Sequence, residues 1–416
     1  MLPSHASVVV AGGGPAGFMA AITAAEAGRR DVVVLEATAE PLHKVRISGG
    51  GRCNVTHACW DPAELVRHYP RGGRALRGPF ARFACGDTVA WFAARGLELV
   101  AEPDGRLFPR ANRSAAVVAC LREAASAAGV RVFTGIGLRG ARVLTAGGFE
   151  LDCRQGSRLR GDALVLASGS HPSGQRIAAS LGHGLVPPAP SLFSLALEPH
   201  PLAELAGVAM DPVRLELQLD DRRLRERGPL LITHWGLSGP AILRLTSVAA
   251  RLLRERRYRG TLRVDWSDGL TPEALTGLID SHCRQHGRRL LASSRPWPGI
   301  GRRLWRHLVT AAGIDPDLRW ADLPGSARRR LVEGLRRSVY GVGGRGPFGE
   351  EFVTAGGIPL REVNLATMES RIQPGLFLVG EILDVDGITG GFNFQHCWTS
   401  GWLAGKALAE RAGAIT

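Results

Sequence analysis

The chain of 416 residues has only two lysines, Lys44 and Lys406, set against fifty arginines. Cysteine is sparse as well, at 7, odd in number and scattered. That excludes the disulfide framework of a small secreted domain. There is no C-x2-C pair and the histidines are dispersed, so no metal-ligand spacing appears and no metal is expected. No apolar run approaches the roughly eighteen residues of a spanning helix. The apolar opening, residues 8–25, is broken by Gly12, Gly13, Gly14, Pro15 and Gly17 and lacks a basic leader, so it does not read as a signal peptide. A reducing cytoplasm is the expected compartment. With 45% hydrophobic and 22% charged residues, a disordered tail and a collagen are excluded. The length predicts two or three domains.

The net charge of +14 raises the question of a nucleic-acid partner. So extreme a replacement of lysine by arginine, in a chain rich in Ala and Gly, reads as coding bias rather than selection for phosphate contacts. The basic residues also read as spread out rather than packed on one motif, which argues against a nucleic-acid partner.

What is present begins at Val8-Val9-Val10, a short apolar run with the look of a buried parallel strand. Gly12-Gly-Gly14-Pro15-Ala16-Gly17 follows, then an Ala-rich helical stretch over residues 18–27, then a second strand over residues 32–35 that ends at Glu36. This is a βαβ unit with GxGxxG between strand and helix, and an acid nineteen positions after the last glycine. The glycines allow the tight turn, the approach of a pyrophosphate and close helix–strand packing. The helix N-terminus offers amides and partial positive charge. Glu36 suits the two hydroxyls of an adenosine ribose and repels a phosphate there. The reading is a dinucleotide site.

Lys44-Val-Arg-Ile-Ser48-Gly49-Gly50-Gly51-Arg52-Cys53-Asn54 comes next. Its three glycines would let backbone amides approach a flat or anionic group. With this loop in place the chain resembles the HI0933-like (BaiN-like, aminoacetone-oxidase-like) family of FAD-binding NAD(P)/FAD-dependent oxidoreductases, whose SGGGRCN loop is matched from Ser48 to Asn54. The resemblance implies a glutathione-reductase-type FAD-binding Rossmann domain, of α/β class, with an inserted β-plus-helical domain. By the same resemblance Gly12, Gly14, Pro15, Ala16, Gly17, Glu36 and Ala37 hold the ADP half of FAD, and the backbone near Leu138 meets the adenine. Lys44, Ser48, Gly49, Gly50, Gly51, Arg52, Cys53 and Asn54 lie along the flavin, and Ser168-Gly169 forms a turn beneath the cofactor.

Further on, strands are expected at residues 130–133, 141–144, 149–153 and 164–167. Pro187, Pro188 and Pro190 punctuate the chain. Residues 191–345 read as the insertion that roofs the flavin, with antiparallel strands, an apolar helix at 241–253 and an Arg- and Leu-rich helical part from 272 to 337. Residues 1–190 and 346–416 read as one discontinuous FAD-binding domain. Gly341-Val-Gly343-Gly344-Arg345-Gly346 is literally a second GxGxxG. Pro347 follows it, no helix opens and no acid closes a βαβ unit, so it reads as a linker rather than a nicotinamide site. Near the end, Thr354-Ala-Gly356-Gly357 resembles the family's TAGG segment. A strand runs into Gly380-Glu381, and Gly390-Gly391-Phe392-Asn393 precedes a helix expected over about 396–412. This is the third flavoprotein motif, and its helix dipole would stabilise negative charge on the reduced ring.

The catalytic acid or base is not identified by sequence. Cys53 and His234, the latter in a Thr233-His-Trp-Gly-Leu-Ser-Gly-Pro240 run that matches a family motif, are the candidates. Cys53 and Cys59 form C-x5-C, which disfavours a redox pair. The resemblance implies hydride transfer at flavin N5 with a small organic substrate. Enone-type reduction with NAD(P)H as transient co-substrate and oxygen-dependent aminoketone oxidation are both open. Two rival classes are a tRNA-modifying flavoprotein and a non-catalytic FAD sensor.

Overall fold

The structure is a computed structural model that describes residues 2–154, 156–297, 299–346 and 353–413. The chain divides into two compact units, one of residues 1–189 with 353–416 and the other of residues 190–352.

The first unit is built on a parallel sheet. Its strands run in the order Arg131–Phe133, Val32–Leu35, His5–Ala11, Arg158–Leu166, Leu376–Leu378, all parallel. Val8 to Val10 and Val32 to Val34 are fully or almost fully buried, as expected of parallel strands covered on both faces. The chain leaves His5–Ala11 for one side of the sheet and later returns to Arg158–Leu166 on the other. Their carboxyl ends therefore form a topological switch point, where open α/β sheets bind ligands. A hairpin, Leu138–Val143 with Phe149–Cys153, joins the edge of Arg158–Leu166.

Two helices pack on each other beside this sheet. The opening helix Pro15–Glu26 is buried from Ala16 to Ala24, as expected of a helix apolar on all sides. Across it lies the closing helix Phe392–Gly413. Backbone meets backbone here. A side chain at Gly401 would begin 2.5 Å from the Ala16 carbonyl oxygen, and one at Gly405 would begin 2.5 Å from Thr23 Cβ. The closing helix starts four residues earlier than the sequence reading placed it. Its first turn is fixed by Asn393, whose Oδ1 accepts from the Gly387 amide (2.8 Å) and whose Nδ2 donates to the Gly387 carbonyl (2.9 Å).

The second unit is a closed six-stranded barrel with helices. Strands Leu195–Leu197, Gly236–Ser238, Arg222–Ile232, Ala209–Leu219, Gly260–Asp265 and Ser338–Arg345 follow each other around it. Val213, Leu215, Leu217 and Leu219 alternate inward. Helix Pro240–Glu255 buries Ile242, Leu245, Ala249 and Leu253, a spacing of three and four. Helices Pro272–His286, Arg302–Ala311 and Gly325–Arg336 complete the unit around Trp305 and Trp320, whose rings stack 5.9 Å apart.

The second GxGxxG is corrected by this arrangement. Residues 338–345 are not a linker but the strand that closes the barrel, pairing with both Leu195–Leu197 and Gly260–Asp265. Its glycines admit a neighbour, since a side chain at Gly341 would meet the Glu198 carbonyl oxygen at 2.6 Å. Pro347 lies outside the described residues.

Candidate active site

The site is assembled at the switch point of the first unit. Gly12 has φ +124°, and a side chain there would collide with the Ala167 carbonyl oxygen at 2.3 Å, while one at Gly17 would lie 2.1 Å from the Gly12 carbonyl oxygen. Strand, turn and helix are thus as close as backbones allow. Pro15 opens the helix at a position that needs no amide donor. Glu36 faces this turn. One carboxylate oxygen accepts from the Gly13 amide (2.8 Å), and the other accepts from the amide and hydroxyl of Thr38 (both 2.8 Å). The Ile136 amide donates to the Glu36 carbonyl (2.8 Å), which brings Ala37 beside Gly137, the residue before Leu138. Acid, turn and the start of the hairpin therefore share one edge.

The Ser48–Asn54 segment is half helix and half loop. A helix spans His43–Gly51 but breaks at Ser48 to Gly50, and left-handed backbone continues at Gly51 and Cys53. Nothing lies within 4 Å of where side chains at Gly50 or Gly51 would begin, so this backbone presents an open surface. Arg52 is committed elsewhere, donating to Glu102 (2.7 Å) and lying over the Phe108 ring. Asn54 ties the loop to the closing helix. With its amide oriented to satisfy both neighbours, its oxygen accepts from the Gly391 amide (2.9 Å) and its nitrogen donates to the Thr56 carbonyl (2.8 Å).

Lys44 and Glu381 meet across the site, with Nζ 2.6 Å from the carboxylate, whose other oxygen accepts from the Thr354 amide (2.8 Å). Gly169 lies against the same carboxylate. Gly356 donates its amide to Asp384 (3.1 Å). Gly380 rests on Ala16 and donates its amide to the Ser400 hydroxyl (2.9 Å). The sequence-derived positions 12, 14–17, 36, 37, 44, 48–54, 138, 168, 169, 356, 380, 381 and 390–393 all lie in the first unit. His234 belongs to the second unit, exposed in the turn between two barrel strands.

Cys53 is buried, and burial pushes its thiol up to about 12, with the Ser48 hydroxyl opposing weakly. It is a neutral thiol at physiological pH, a poor nucleophile. More instructive are residues the sequence reading passed over. The rings of His57 and His68 both pack on Phe392, at 4.8 and 4.2 Å between centroids. Burial lowers the pKa of both imidazoles below the usual histidine value. His57 Nε2 lies 3.1 Å from the Asp104 carbonyl, which only accepts, so Nε2 carries the proton and Nδ1 is left as an acceptor. Nδ1 is buried and has no partner among the described residues. The Tyr69 hydroxyl donates to the Phe392 carbonyl (2.6 Å), and Arg71 makes a two-pronged pair with buried Asp386. The signal for these residues was the Gly387–Asn393 stretch itself. Its partners come from residues 56–71, over 300 positions earlier, and no local periodicity links the two.

Among the described residues no group of three or more His, Cys, Asp or Glu is arranged for a metal ion. None of their helices is long and apolar enough to cross a membrane. A flavin adenine dinucleotide fits what is there. The Ser168 hydroxyl is buried at the switch point with no partner among the described residues, the Gly50-Gly51 backbone is open, and the Glu36 carboxylate stands beside the glycine turn.

Comparison with known proteins decides the lineage. Residues 6–407 match the model of the HI0933-like protein Rossmann domain. This chain belongs to the HI0933-like family. It has that family's FAD-binding Rossmann fold and is an FAD-dependent oxidoreductase. A Clostridium scindens protein named 3-dehydro-bile acid delta(4,6)-reductase is 30% identical over 415 residues, covering 97% of this chain and 98% of its own. An Escherichia coli protein named ribosomal RNA dihydrouridine synthase is 29% identical over 422 residues, covering 96% and 97%. Among solved structures, 3-ketosteroid delta1-dehydrogenase from Sterolibacterium denitrificans superposes with a TM-score of 0.55 at 14% identity, over 98% of this chain and all of that one. That likeness is one of fold.

Proposed function

We propose that this HI0933-like protein reduces a carbon–carbon double bond conjugated to a carbonyl, with a reduced nicotinamide nucleotide as electron source. The observation that carries the reading is the full-length likeness to two reductases whose names share that bond. A delta(4,6) unsaturation beside a 3-oxo group is a conjugated enone. The double bond that becomes saturated in dihydrouridine is conjugated to the C4 carbonyl of uracil. FAD, when bound, supplies hydride chemistry that no side chain can provide.

The chain's residues supply the setting. The Gly12–Gly17 turn and Glu36 seat the nucleotide end, and Asn54 locks the Ser48–Asn54 loop onto the closing helix. The start of that helix places partial positive charge at the Gly390-Gly391 turn. His57 and His68, neutral and packed on Phe392, are the imidazoles beside that turn. They suit proton movement better than Cys53, whose thiol holds its proton.

A second reading takes an RNA base as the substrate. It is favoured by two relatives of full-length match, from Escherichia coli and Haemophilus influenzae, both named ribosomal RNA dihydrouridine synthase. The deciding experiment is anaerobic stopped-flow. NADH or NADPH should bleach the flavin band near about 450 nm, and a 3-oxo-4-ene steroid or a uridine-containing RNA should restore it. Bleaching by an aminoketone, with none by either nicotinamide, would replace this reading with an oxidase.

A further inference from the structure

We infer that one end of the inserted barrel is a docking groove for an RNA phosphodiester backbone, an inference that rests on the second reading above. The arginines are less evenly spread than the sequence alone suggested. From Arg222 to Arg263 the chain holds eleven arginines and only two carboxylates, Glu226 and Glu255. Strand Arg222–Ile232, the end of helix Pro240–Glu255 and strand Gly260–Asp265 carry most of them, and the barrel register gathers their ends. Leu219 pairs with Arg222 and Gln218 with Thr261, and Arg256 forms an ion pair with Asp220 at the hairpin turn. Between them lies a groove of about 520 Å³, lined by Gln218, Asp220, Arg256, Arg259, Thr261 and Arg263.

The carboxylates of this end are mostly spent. Glu216 holds Arg225 and Arg263 and Asp220 holds Arg256, while farther along the same strands Glu226 holds Arg244 and Asp268 holds Arg227. Arg222, Arg223, Arg257 and Arg259 are exposed and make no ion pair or side-chain hydrogen bond among the described residues. Against these four stand Asp221 and Glu255, so the rim is net basic. The corner that displays them is unusual. Arg257 and Tyr258 are successive non-glycine residues in the left-handed region, at φ 51° and 60°. The Tyr258 ring is fixed edge-on to Phe193 and lies under the Arg345 guanidinium. Glycine would turn the chain there without strain. This chain instead keeps arginine at 256, 257 and 259, so guanidinium groups fan around one corner. Such groups form two-pronged bonds with phosphate oxygens. Leu219, the groove's apolar residue, is buried, so no anchor for a bilayer is offered.

The test is fluorescence anisotropy of a labelled RNA hairpin with the full-length, FAD-loaded protein. Four phosphate contacts predict a slope of log affinity against log salt of about −3, or roughly a 60-fold loss between about 50 and 200 mM. R222E/R223E/R257E/R259E should abolish binding, and the milder R257Q/R259Q should about halve the slope. R284E/R302E/R306E/R329E removes the same charge from exposed helical positions of the same unit and should leave the slope unchanged. All variants should keep FAD and still reduce a small conjugated ketone, which separates failure of the groove from failure of the proposed chemistry. Equal losses in the two glutamate variants would overturn the inference. So would binding to anionic vesicles without RNA binding, or no RNA binding at the lower salt.

Discussion

Removing the Asp386 carboxylate should unseat the turn that carries Gly387 to Phe392. Asp386 has no solvent exposure and the Arg71 side chain has 10%. Two guanidinium nitrogens of Arg71 donate to the two carboxylate oxygens, and the backbones of the two residues also form a bridge. Asp386→Ala takes the two-pronged partner from a buried cation, at a cost of about 3–5 kcal/mol. In a unit of this size each kcal/mol moves Tm by roughly 2–4 °C, so the variant should melt on the order of 10 °C lower. The assay is the rise in flavin fluorescence on release during heating, with circular dichroism alongside. Arg71→Met should cost a similar amount. The pair R71M/D386L should cost far less than the sum, because each single variant already loses the same two-pronged interaction. The cycle should return a coupling of at least about 2 kcal/mol. Additive single effects, or an Asp386→Ala variant within about 0.5 kcal/mol of the parent, would refute the reasoning.

Gly405→Ala pushes a methyl to 2.8 Å from the Ala20 carbonyl oxygen and should cost about 1–3 kcal/mol in urea unfolding. Gly334→Ala, where nothing lies within 4 Å, should instead stabilise by about 0.4–1 kcal/mol. His396 is buried, and burial lowers its pKa from 6.5 to about 4, with the Gly380 carbonyl opposing. The unfolded state takes up this proton first, so stability should hold above pH 6.5 and fall by about 3 kcal/mol as pH drops to 4. His396→Gln should flatten that limb if it folds. Burial pushes Cys53 and Cys397 from 9.0 up to about 12, so the unfolded state loses these protons first. Stability should decline above pH 9, by roughly 1.4 kcal/mol per pH unit for each thiol. Mass spectrometry after iodoacetamide should find Cys59 and Cys283, both partly exposed, labelled before Cys53.

The parts of this molecule that are local in sequence are legible in it. Residues 8–36 announce strand, turn, helix, strand and acid within one short stretch, because each element's signal lies next to the next. The closing Gly390–Asn393 turn was found the same way, though its helix begins earlier than periodicity suggested because Asn393 folds back onto Gly387. Long-range pairings were not legible. Asn54 with Gly391, Arg71 with Asp386 and His57 with Phe392 join segments over 300 residues apart, and nothing in either segment names its partner. The barrel was harder still. Its closing strand carries Gly341, Gly343 and Gly344, residues that weaken any strand signal, and at Gly341 and Gly343 Glu198 crosses close by. The gathering of arginines at one barrel end depends on register, which a linear count of charge does not show.

The most direct test of the account is the flavin content of the purified full-length protein and of its Gly17→Val variant. One FAD per chain is expected in the parent, by absorbance and by chromatography of the released cofactor. Little or none is expected in the variant, because a side chain at 17 meets the Gly12 carbonyl oxygen at 2.1 Å. A colourless parent that takes up no added FAD, or a variant that holds FAD as tightly as the parent, would contradict it.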